Sequence, residues 1–185
     1  LNAAAVHGDS LTAGGTLGIV SALYDDSIAE GELRDVVFTG SLTGNRVTVY
    51  TDKGNIHLAD VNTTEGYLDV YRLSQSEKGT VTIHGGGSED STMILNHNGD
   101  VNITEPYIGK DSIIVLTGHG GQAHGQDLLK SESGTILVRD HAQKFGSLLT
   151  LEGLRQILAR DLSPDDLPHL ELNDAMYGTA GRAVD

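Results

Sequence analysis

The stretch VTIHGGGSEDSTMILNHNGDVNITEPYIGKDSIIV, residues 81–115, decides the fold. Its apolar residues come in pairs two positions apart: Val81/Ile83, Met93/Leu95, Val101/Ile103 and Ile113/Val115. Alternation of that kind turns one face of an extended strand towards a core. Gly, Asn, Asp and Thr frame each pair, so every run stops after a few residues and no helix of ordinary length fits.

Working outward, the same pattern runs from about Leu11 to Val138, with Leu17/Ile19, Val47/Val49, Ile56/Leu58, Leu68/Val70 and Ile136/Val138 as further pairs. Gly54, Gly66, Gly79, Gly99 and Gly134 precede several of them. Val47 to Leu68 is 21 residues, Val81 to Val101 is 20, Met93 to Ile113 is 20 and Ile113 to Ile136 is 23. A period of about 20–23 residues carrying two or three short strands is the signature of one coil of a parallel β-helix. A β-sandwich is the alternative; it predicts turns every 8–12 residues without the doubled period. Irregular spacing between Leu58 and Val81, and between Val115 and Ile136, predicts loops of variable length on one side.

Composition agrees with a solenoid. The chain has 185 residues, 24 of them Gly, and its aromatic residues are six Tyr and two Phe. A narrow bore filled by stacked Val, Ile and Leu leaves little room for rings, and its corners need residues that tolerate positive φ. Asn55, Asn62, Asn98 and Asn102 fall beside strand ends, where their amides are expected to cap turns or stack between coils. After Val138 the pattern changes: Leu151, Leu154, Ile157, Leu158 and Leu162 follow helical spacing behind Thr150 as N-cap, and Ser163-Pro164-Asp165-Asp166 reads as a second helix start. The expected organisation is a repeat domain over 1–140 and a helical cap or linker over 141–185.

Charge and missing residue types narrow the function. A net charge of −14 repels phosphate backbones, so nucleic acid is not an expected partner. No apolar run approaches the ~18–20 residues that span a bilayer, so membrane insertion by this segment is not expected. Without cysteine there is no disulfide, thiolate zinc site or cysteine nucleophile. The chain opens on Leu1, and Leu1–Val6 hold neither a basic segment nor a long apolar stretch, so it reads as processed or excised from a longer polypeptide.

Candidate chemistry is sparse. His119, His124 and Asp127 lie in one Gly-rich run, but their spacing matches no helical zinc motif, and the run reads as a solvated excursion between two strands. The acidic pairs Asp25-Asp26, Glu89-Asp90 and Asp165-Asp166 read as loop or helix-start charges. Neither 85–90 nor 96–100 completes a calcium loop. There is no Gly-x-Ser-x-Gly elbow and no phosphate loop. Gly118-His119-Gly120 is similar to the Gly-His-Gly element of β-helical polygalacturonases, but the carboxylate and basic elements that accompany it there are missing. No catalytic, cofactor or metal residue is therefore assigned, and no cofactor is expected.

Residues 11–22 (LTAGGTLGIVSA), Gly54-Asn55-Ile56-His57-Leu58 and Gly99-Asp100-Val101-Asn102-Ile103-Thr104 resemble the repeats of filamentous haemagglutinin-type bacterial adhesins, including leukotoxin-like members. The resemblance covers about Leu11 to Val138. It implies a right-handed parallel β-helix, two-partner export, and a secreted or cell-surface location. It also implies an adhesive role, with a host-cell protein or glycan as partner. The expectation is a non-enzymatic shaft presenting loops such as Gly85–Asp90 and Gly118–Gly134. The alternative is a β-helical polysaccharide-cleaving enzyme.

Overall fold

A computed structural model describes residues 1–3, 5–21, 34–74 and 76–139. The helical segment expected over 141–185 lies outside the described residues. The short strands β1 (Asn2–Ala3), β2 (Val6–Gly8), β3 (Leu11–Thr12) and β4 (Thr16–Ser21) open the chain. Long and short passages then alternate: β5 (Val36–Gly44), β6 (Arg46–Thr51), β7 (Ile56–Thr63), β8 (Leu68–Arg72), β9 (Val81–Ser88) and β10 (Thr92–Asn96). In the last coils the long passage is divided, giving β11 (Val101–Ile103), β12 (Tyr107–Gly109), β13 (Ile113–Thr117), β14 (Ala123–His124), β15 (Leu129–Ser131) and β16 (Ile136–Arg139).

Every strand pairing is parallel, and pairing strands lie one coil apart. The chain is a parallel β-solenoid of about five turns. A sandwich of antiparallel hairpins is thereby excluded. Sheet A runs β1-β4-β6-β8-β10-β13-β16; sheet B runs β14-β11-β9-β7-β5-β2, with β3, β12 and β15 extending it. Among the described residues the only helical turn is 3-10, at Gln126–Leu128.

Register converts the period into a core. In sheet A, Leu17, Val47, Leu68, Thr92, Ile113 and Ile136 form one column, and Ile19, Val49, Val70, Ile94, Val115 and Val138 the next. In sheet B, Val36, Ile56, Val81 and Val101 stack, as do Phe38, Leu58, Ile83 and Ile103. These columns share one apolar cluster. Each Val, Ile or Leu removed from water contributes about 1.5–3 kcal/mol, opposing the entropy lost in ordering the coil.

Two rings do enter the bore, each facing a glycine one coil away. Phe38 lies against Gly8, where a Cβ would come within 2.8 Å of the ring, and Tyr107 is in register with Gly86, which brings no side chain to its column. The Tyr107 hydroxyl bonds to Thr92 Oγ1 at 2.9 Å, and Thr92 Oγ1 to Ser88 Oγ at 2.7 Å. Thr92 thus replaces an aliphatic residue in its column to meet a buried phenol.

The two sheets differ on their outer sides. Sheet B alternates in burial, as a half-solvated strand does: β7 and β9 have buried residues separated by partly exposed ones. Sheet A does not, for all five residues of β8, β10 and β13 are buried. Its strands read as near-continuous apolar runs because both faces are covered. This overrides one expectation from spacing. Thr92 and Ile94 face the bore while Met93 and Leu95 face outward, and Met93 pairs with Ile114 rather than Ile113.

Candidate functional site

The corner where sheet A gives way to sheet B concentrates the polar chemistry. Ser21, Thr51, Arg72, Asn96 and Thr117 occupy one register position in successive coils, and all are buried. Their side chains add hydrogen bonds to carbonyls at the bend, two of which, Asp100 O and Asn98 O, also accept a backbone N–H from the neighbouring coil. Ser21 Oγ donates to Arg34 O at 2.7 Å, Thr117 Oγ1 to Gly121 O at 2.9 Å, and Asn96 Nδ2 to Gly79 O and Asp100 O, both at 2.8 Å. Arg72 reaches the coils on both sides of its own, donating from Nε to Gly54 O at 2.8 Å, from Nη2 to Lys53 O at 3.0 Å and from Nη1 to Asn98 O at 3.1 Å. Burial pulls its pKa down, while Glu77, Asp52 and Asp35 oppose that shift.

Glycine is required at this corner by close approach of the coils. A Cβ on Gly99, where φ is +125°, would lie 2.0 Å from Gly79 O. The same corner absorbs the variation in coil length. Ser21 is followed by the 22–33 stretch, Arg72 is seven residues from Gly79, and Thr51 only three from Gly54. Charged and imidazole groups collect beside it. Arg34 pairs with Asp52 at 3.5 Å and Lys53 with Glu77 at 3.6 Å, and the rings of His97 and His119 meet edge-on, their centroids 5.9 Å apart. Burial raises the Asp52 carboxyl, against the pull of Lys53 and Arg34. His97 Nδ1 bonds to Leu73 O at 3.3 Å, and burial holds the ring below its usual pKa.

A second group of polar side chains lies on the outer side of sheet B. His57 Nε2 and His84 Nε2 are 3.1 Å apart, and His84 Nδ1 meets Thr104 Oγ1 at 2.7 Å, so one polar ladder crosses three coils. Burial first, and the His84 charge second, lower the His57 pKa. A neighbouring ladder has Asp60 Oδ2 accepting from Ser41 Oγ and from Asn62 Nδ2, each at 2.8 Å. The surface offers donors and acceptors in rows at the spacing of the coils, about 4.8 Å. The two facing imidazoles could supply two ligands to a cation, but among the described residues no group of three or more His, Asp or Glu gathers to complete a set.

The residues singled out from sequence are placed as follows. His119 has φ of 51° and touches His97, whereas His124 points to Asp100, 3.9 Å away, so the structure separates them. The run from Gly118 to Gly134 is the last coil's passage through sheet B rather than an excursion. Ala123–His124 pairs with Val101–Asn102, and Leu129–Ser131 pairs with Tyr107–Gly109. Likewise Gly85–Ser88 belongs to β9 rather than to a ligand loop, pairing with β7 and β12. Glu89 pairs with Lys110, and Asp90 Oδ1 accepts the Ser91 N–H at 2.7 Å. Asp25-Asp26 and Asp165-Asp166 lie outside the described residues.

The asparagine expectation agrees with the contacts of Asn55 and Asn102, whereas Asn62 lies within β7 and bonds to Asp60 on its own strand. Asn55 Oδ1 accepts the Thr80 N–H one coil on, and Asn102 Nδ2 reaches Thr82 Oγ1. Sequence reading missed His57, His84 and Arg72. The two histidines sit beside the aliphatic positions Ile56/Leu58 and Ile83, so outward parity was a usable signal; Arg72 carried none. No protein-family model matches the chain, and no characterised protein or solved structure matches it either.

Proposed function

We propose that this chain is a non-enzymatic shaft segment of a secreted or surface-displayed bacterial filamentous protein, contacting a host-cell protein or glycan through the outer side of sheet B. One observation carries the reading: the aliphatic column from Ile19 to Val138 runs in register through every coil of sheet A, so the molecule is a stack extended by adding coils. The side-chain rows of Ser41, His57, Asp60, Asn62, His84 and Thr104 suit a repetitive, hydroxyl-rich ligand better than a small molecule needing a deep pocket. The repeat resemblance supplies the exported setting.

The test is binding of the purified chain to an array of host glycans and to intact host cells. Saturable binding that falls when His57, His84 and Asn62 are replaced together by Ala supports the reading. Release of reducing ends from a polysaccharide, or no binding to either array or cells, overturns it.

A further inference from the structure

The outer side of sheet A is largely apolar, interrupted by the buried Thr48 and by the buried Asp69 beside Tyr71. Val20, Tyr50, Tyr71, Leu95 and Leu116 form one of its columns; Met93, Ile114 and Leu137 lie in the other, and each of these is at most 9 % exposed. The Tyr50 and Tyr71 rings stack at 5.1 Å, and the Tyr71 hydroxyl meets Met93 Sδ at 3.1 Å. Every described strand belongs to one of the two sheets, whose inner sides share one core, so no described strand lies over this face. Left open to water, a contiguous patch of this size would recruit a partner or aggregate.

Two stretches of the chain lie outside the described residues and could reach it. The first, 22–33, has both ends at the same corner, after Ser21 and before Arg34. Six residues out and six back extend at most about 20 Å, short of the roughly 24 Å from β4 to β16. Leu137 on β16 is nonetheless buried. The second, 140–185, leaves from β16, the last strand of sheet A itself. It contains Leu151, Leu154, Ile157, Leu158 and Leu162 at helical spacing. A helix over 151–162 would be about 18 Å long and span roughly four strand spacings.

We propose that residues 151–162 dock as an amphipathic helix across the outer side of sheet A, with their apolar stripe against the Tyr50–Leu116 column. Sheet A is then the closed side of the solenoid and sheet B its open side, whatever sheet B binds.

The chain has no cysteine, so single introduced thiols report on one position each. In the full chain, Leu95→Cys faces the docking surface and Ile94→Cys faces the bore. The thiol at 95 is expected to resist a maleimide in the otherwise unaltered chain. Adding Leu154→Asp with Leu158→Asp is expected to speed its labelling about tenfold or more, because two buried leucines are lost from the contact. The thiol at 94 stays unreactive throughout, showing that the coils are intact, and Gln156→Asp on the opposite side of the helix leaves the rate at 95 unchanged. Labelling at 95 that ignores the paired aspartates overturns the proposal. So does protection lost on dilution, which would make a second copy the cover, or protection lost only with Leu23→Asp and Ile28→Asp, which would assign it to residues 22–33.

Discussion

Replacing Arg72 by Met tests the corner directly. The guanidinium donates to the carbonyls of Gly54, Lys53 and Asn98, tying the turn of the coil before its own to that of the coil after. Methionine keeps most of the aliphatic volume, so the loss is one of hydrogen bonds rather than of packing. The Gly54 carbonyl is the more deeply buried acceptor, and orphaning it costs about 2 kcal/mol; the Lys53 carbonyl, partly wetted, costs about 1 kcal/mol, while the Asn98 carbonyl keeps the Gly79 N–H and adds little. Relief from burying a charge returns about 1 kcal/mol, leaving a net loss of about 2 kcal/mol. Against a typical domain stability of about 5–15 kcal/mol that is a large share. Urea unfolding followed by far-UV circular dichroism measures it. The midpoint should fall, and because coils couple chiefly to their neighbours, the transition should broaden or split about the third coil. A loss below about 1 kcal/mol with an unchanged slope would refute the view that Arg72 holds the flanking coils together.

Gly99→Ala should cost about 3 kcal/mol or more by thermal or urea unfolding, since φ is +125° and a Cβ would strike Gly79 O. Gly120→Ala, with φ of +79° and open space around it, should cost only about 1 kcal/mol. Thr92→Val should lose about 1–2 kcal/mol by stranding the Tyr107 hydroxyl. The double variant with Tyr107→Phe should recover part of that loss, and a double-mutant cycle showing strict additivity would count against the buried pair. His97 has a native pKa held below 6.5, chiefly by burial. The unfolded chain therefore binds the extra proton first, and His97 removes stability as pH falls from about 6.5 towards its lower native value. His97→Gln should flatten that part of the stability–pH curve, as measured by urea midpoints in a series of buffers.

Much of the fold was legible along the chain. Paired aliphatic residues recurring every 20 or so positions, with glycine or asparagine at the bends, favoured stacked coils over a β-sandwich because a sandwich predicts no doubled period, and the parallel pairing excluded the sandwich. The candidate site was much less legible. His57 and His84 are 27 residues apart, and their 3.1 Å contact exists only because β7 and β9 are neighbours in sheet B. The passage over Ala123–Ser131 was hidden for a related reason: its inward residues are few, and it joins sheet B by pairing with β11 and β12 rather than by its own pattern.

Residue order alone determined short half-buried strands joined by tight turns at a period of about 20–23 residues, because alternation and turn chemistry act within a few residues of each other. Tertiary structure decided which side of each strand is which. At Thr92-Met93-Ile94-Leu95 the local pattern points Met93 and Leu95 inward; pairing with Leu68–Tyr71 and Ile113–Leu116 turns Thr92 and Ile94 inward instead. It likewise decided that a buried arginine belongs at the corner, since the carbonyls Arg72 satisfies lie 18, 19 and 26 residues away and meet only when the coils are stacked.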